Sequence, residues 1–153
     1  MAAYIPESPT GANHATAKYP VGNVYFDYDG DEGLRFWMYV NNDGAIDTIA
    51  GHTANPTDTR GYVSSDRDSP SATYAAMGCG IFRSAITTQY YGFLQISGYV
   101  DNEAHHSSLA PGEVGMSHST DGQLVVHAGE AHGMFLCTDT GETYASGYIV
   151  GCM

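Results

Sequence analysis

Seven histidines, three cysteines and seventeen acidic residues are the side chains with which this 153-residue chain could do chemistry. His105 and His106 are adjacent, and His118, His127 and His132 follow. A zinc site needs three or four such ligands converging on one point. Neighbouring side chains on a strand point to opposite faces, so the adjacent pair makes poor joint ligands. Neither H-E-x-x-H nor C-x-x-C occurs. His105, His118 and His127 would be the first three to test as ligands, but the ordinary reading is surface histidines in loops, and no metal is expected. Asp27, Asp29, Asp31 and Glu32 concentrate four carboxylates around Gly30. Calcium favours oxygen clusters, yet the acidic spacing of an EF-hand and its terminal Glu are absent. An Asp- and Gly-rich turn accounts for the same residues.

Nucleophilic chemistry has less support. Gly115-Met116-Ser117-His118-Ser119 lacks the final glycine of a nucleophile elbow. Ser, His and Asp are abundant, but nothing locates a triad or a pair of catalytic carboxylates. Phosphate and dinucleotide fingerprints are absent. The sequence therefore assigns no catalytic residue and no cofactor, and an enzyme is not expected. The aromatic residues are a different resource. Trp37, Tyr39, Tyr90, Tyr91, Tyr99 and Tyr148 suit sugar or protein surfaces, because Tyr and Trp combine large area with a polar handle. Many of them should instead be core or cross-strand pairs.

Composition narrows the partners. Five Lys plus Arg against seventeen Asp plus Glu give a net charge of −12. So few basic residues cannot form a stripe for nucleic acid, and the acidic balance repels DNA and anionic membranes. No apolar run approaches a membrane-spanning length. Residues 1–20 show neither the basic nor the apolar region of a secretory signal. Cys79, Cys137 and Cys152 are odd in number and widely spaced, which argues for free thiols in a reducing cytoplasm.

The elements that must position these groups are short strands. Residues 1–22 lack periodicity and carry Pro6, Pro9, Gly11 and Pro20, so they are expected to form an extended arm ahead of a β domain over 23–153. Residues 24–28 and 34–40 alternate and predict a hairpin, with Leu34, Phe36, Met38 and Val40 on one face and Arg35, Trp37 and Tyr39 on the other. Asn41–Gly44 predicts a turn. A weak strand is expected at 61–63, one short helix at 71–77, and strands at 81–86 and 90–100. Residues 101–112 read as a loop. Short strands follow at 114–116, 123–127, 133–137 and 143–150. No window of twelve residues has a helical period. The fold class is all-β, a single-domain antiparallel sandwich or small barrel.

Residues 81–86, followed by Tyr91-Gly92-Phe93-Leu94-Gln95-Ile96-Ser97-Gly98, resemble a strand of small structural proteins of tailed phages. Ala110-Pro111-Gly112-Glu113-Val114-Gly115 resembles the turn that follows it. Asp121-Gly122-Gln123-Leu124-Val125 and Tyr148-Ile149-Val150 resemble the closing strands. The resemblance covers the C-terminal half and points to phage capsid decoration (cement) proteins. It implies a homo-oligomer, a trimer before a dimer, made in the host cytoplasm and bound outside the capsid. Its partner would be the major capsid protein, with no nucleic acid or membrane involved. It also implies that an N-terminal arm joins a capsid strand by β-augmentation. Tyr4, Ile5 and Pro6 are the arm residues this suggests, and Trp37, Tyr39, Tyr91 and Tyr99 are the suggested subunit contacts.

Overall fold

The computed structural model describes residues 2–56, 61–64, 80–106, 108–117, 122–126 and 134–150. Strand β1 (Ala3–Tyr4) runs parallel to β2 (Val24–Asp29), which turns into β3 (Gly33–Asn42). β2 and β3 form the expected hairpin, antiparallel with Phe26 opposite Phe36 and Asp29 opposite Gly33. Asp29 Oδ1 accepts the amides of Asp31 and Glu32 at 3.0 and 3.2 Å and holds the turn. Next come β4 (Thr53–Pro56), β5 (Tyr62–Ser64), β6 (Gly80–Ile81) and β7 (Tyr91–His105). The chain closes with β8 (Val114–Ser117), β9 (Leu124–Val126), β10 (Phe135–Thr140) and β11 (Tyr144–Ile149).

All eleven strands join one sheet, and no described residue is helical. Thus, among the described residues, no helix is long and apolar enough to cross a membrane. The helix expected at 71–77 lies outside the described residues.

The ladder closes on itself. β3 pairs with β5, β5 with β4, β4 with β6, β6 with β7, and β7 returns to β3. Val40, Ala54, Val63, Phe82, Ile86 and Leu94 form the core of this five-strand ring. The other face of β3 and β7 carries Trp37, Tyr39 and Phe93, joined by Tyr25 of β2. A third core, including Val100, Leu124, Phe135 and Ile149, belongs to the sheet of β7, β11, β10, β8 and β9. Strand β7 serves all three cores.

Four local expectations change. Residues 101–105 extend β7 and do not form a loop, because β7 leaves β3 at Ser97 and pairs with β11 from Gly98 onward. Gly98 has φ +106°, and a Cβ there would stand 2.7 Å from the Leu34 carbonyl, so only glycine fits the crossing. Asn41 and Asn42 are buried in β3 and are not turn residues. Asn42 Nδ2 donates to the carbonyls of Ile46 and Ile86, each at 2.9 Å, which ties two loops to the ring. Of the strand expected at 81–86 only the start is regular, and Phe82 and Ile86 enter the ring from irregular chain. Finally, residues 2–22 are not held apart from the β domain. Ile5 and Ala12 are buried beneath the aromatic face.

Candidate functional site

Two polar clusters and two apolar surfaces are the features that could carry function. The first cluster pins the N-terminal segment to the aromatic face. His14 exchanges backbone hydrogen bonds with Tyr91 at 2.8 and 2.9 Å. Its Nδ1 lies 2.9 Å from Tyr39 Oη, and its Nε2 lies 3.2 Å from Glu7 Oε1. Tyr39 Oη accepts the Lys18 amide at 3.1 Å. A carboxylate, an imidazole and a hydroxyl in this order resemble a proton relay. The relay has no outlet, however, since Tyr39 is fully buried beneath Tyr19, Tyr91 and Phe93. Burial raises the Tyr39 pKa further from neutrality. The cluster is a clasp for the segment.

The second cluster continues the same face toward the hairpin turn. Arg35 donates Nε and Nη2 to the two Asp27 oxygens at 3.0 and 2.6 Å, a bidentate pair. Trp37 Nε1 donates to Asp27 at 2.8 Å, and the Arg35 guanidinium stands 5.4 Å from the Trp37 ring centre. Glu32 accepts from Arg35 at 2.8 Å and from Arg83 at 2.9 and 3.0 Å. Arg83 also meets Gln95 at 2.7 Å and pairs with Glu103. Burial opposes the Glu32 carboxylate, but the hydrogen bonds from Arg83 and Arg35 outweigh it and hold its pKa below the ordinary value. The amides of Asp31 and Glu32 hold the Asp29 carboxyl low as well. The four carboxylates read in the sequence as a turn or a calcium site thus divide. Asp27 and Glu32 are occupied by arginines, Asp29 organises the turn with its other oxygen 3.4 Å from Arg35, and Asp31 is exposed. No group of His, Cys, Asp and Glu among the described residues is arranged to hold a metal. Of the histidine set His105, His118 and His127, the last two lie outside the described residues.

The suggested contact residues separate in the same way. Trp37 and Tyr39 have no exposed surface and cannot touch another subunit, which corrects their assignment as contacts. Their ring area is already used within the chain, and the Trp37 N–H is satisfied by Asp27. Tyr91 is half-buried and stacked on Tyr39 with ring centres 6.1 Å apart. Tyr99 is half-buried beside Tyr148 at 5.0 Å. In the arm, Ile5 is core, which removes it as a capsid contact, whereas Tyr4 and Pro6 are exposed.

Alternation on the hairpin puts its polar residues inside and its apolar residues outside. With Asp27, Arg35 and Trp37 turned inward, Phe26, Tyr28, Leu34 and Phe36 face the other way. Tyr28 is 73 % exposed, Leu34 50 %, and Tyr4, packed edge-on against Phe26, 68 %. Sequence reading found both faces of this hairpin but had no signal that the charged one is buried. A second apolar row crosses the other sheet. Val114, Leu136, Tyr148 and Tyr99 are direct partners on β8, β10, β11 and β7.

No protein-family model, curated protein or solved structure matches the chain.

Proposed function

We propose that the chain is a virion structural protein that binds the outer surface of a phage capsid and stabilises contacts between major capsid subunits. The observation that carries this reading is the outward apolar face of the hairpin, on which exposed Tyr28 and Leu34, with Tyr4 beside them, flank half-buried Phe26 and Phe36. A contiguous exposed apolar patch of this kind marks a contact site. Each large side chain buried there contributes about 1.5–3 kcal/mol. Repetition over the symmetric copies of a shell turns modest contacts into a large summed stabilisation. The arginines and carboxylates of the hairpin are committed to one another, which favours binding over catalysis.

In this reading Tyr4 and Pro6 are what remains of the arm contact. The protein acts as a homo-oligomer, a trimer before a dimer, on the capsid exterior. A phage tail, tail-fibre or head-fibre β domain, or a carbohydrate-binding module, is the second reading, favoured by the exposed rings of Tyr28 and Tyr4. Trp37 is unavailable to it as a sugar platform.

The test is the temperature at which expanded capsids release their contents, measured with and without saturating protein. The capsids are assembled from the major capsid protein encoded in the same genome. Release at a higher temperature with the protein is expected. An unchanged release temperature contradicts the proposal, and glycan binding alongside it selects the second reading.

A further inference from the structure

We propose that the row Val114–Leu136–Tyr148–Tyr99 is a second docking surface, which takes a partner protein whose contact patch is apolar at its centre and rimmed by Lys and Arg. This goes beyond the capsid reading and does not depend on it.

Register places the row on one face. Leu136 is directly opposite both Val114 and Tyr148, and Tyr148 is directly opposite Tyr99. Directly paired residues share a face of a sheet. Their neighbours Phe135 and Ile149 point into the core from the other face. Val114 is 38 %, Leu136 37 % and Tyr148 49 % exposed, and Val150, two residues beyond Tyr148, is also exposed. A row of this kind across four strands presents adjacent apolar side chains about 5 Å apart.

Charge selects the occupant. After Arg83 the chain contains no Lys or Arg, whereas Asp101, Asp139 and Glu142 are exposed acids among the described residues there. Asp101 and Asp139 lie in strands of this sheet. A second copy seated here would set one acidic sheet against another within a Debye length of about 10 Å at 0.1 M salt. Like charges across an interface disfavour that pairing. A basic rim around an apolar centre satisfies both parts of the surface, and the same complementarity speeds encounter. The hairpin face lies on different strands, so the molecule has two surfaces and can join two neighbours.

The test uses two amphipathic helical peptides of equal length, one of leucine and lysine and one of leucine and glutamate. Each is titrated into the full-length 15N-labelled protein while the amide resonances are followed. The lysine peptide is expected to shift resonances of Val114, Leu136, Tyr148 and Tyr99, and the glutamate peptide is expected to leave them unchanged. Leu136→Lys with Tyr148→Lys is expected to weaken the lysine peptide by about tenfold or more. Val114→Thr with Tyr148→Ser is a milder pair, and unchanged resonances in the remaining strands report its fold. Shifts confined to the hairpin, equal binding of both peptides, full affinity in the variants, or self-association through this row would each overturn the proposal.

Discussion

At the residue scale the hairpin shows how a charged face becomes a core. Isolated Arg and Asp are almost never fully buried, but a bidentate pair with every donor satisfied can be. Arg35 meets both Asp27 oxygens and Glu32, and Trp37 fills a remaining Asp27 position. That exchange puts Leu34 and Tyr28 in water. The period-two alternation of 24–28 and 34–40 was legible in the sequence, whereas the choice of face was not. The decisive partner, Arg83, is remote in sequence and reaches Glu32 only through the fold. The sign of the pH effect follows. Glu32 ionises below the ordinary 4.5 in the folded protein, so the unfolded chain binds more protons as pH falls toward that value. Its contribution is present above about pH 4.5 and is lost as pH falls through the lowered folded value. Denaturant midpoints are expected to be level from pH 7 to 5 and to decline below that. The decline should be shallower in Glu32→Gln, which should itself be about 1–3 kcal/mol less stable at pH 7. Equal acid sensitivity in the two proteins would contradict the role given to Glu32.

At the element scale, strands flagged by aromatic and β-branched runs were readable, and 90–100 above all. Its continuation through Asp101–His105 was hidden, because Asp101, Asn102 and Glu103 bulge out of the pairing with β11, Asn102 at φ +47°, and partners resume only at Ala104 and His105. The five-strand ring was hidden for the same reason, since the parallel pairing of β3 with β5 is tertiary information. The N-terminal segment was readable as irregular but not as packed. Its prolines and polar residues look like a free arm, while Ile5, Ala12 and the His14 clasp bind it down. Deleting residues 1–21 is therefore expected to uncover Tyr25, Tyr39 and Phe93 and lower stability by several kcal/mol, starting with about 1.5–3 kcal/mol for Ile5. Thermal melts of full-length and truncated protein check this, and equal melting temperatures would contradict it.

At the scale of the whole molecule, the fold is a scaffold around one long strand with two outward apolar surfaces. One lies on the hairpin and the other on the C-terminal sheet. The all-β class and the acidic balance were visible in composition. Neither surface was, because exposure depends on which face the remaining chain covers. We propose that the hairpin face binds a capsid. The most direct test is co-sedimentation of the protein with expanded empty capsids, using wild type beside the double variant Tyr28→Lys, Leu34→Glu. Both side chains are exposed, so the variant should keep its fold, as its melting temperature will show. Wild type is expected to pellet with the capsids to saturation and the variant to lose about tenfold or more in affinity. If wild type stays in the supernatant, or if the folded variant pellets equally well, the hairpin face is not a capsid contact.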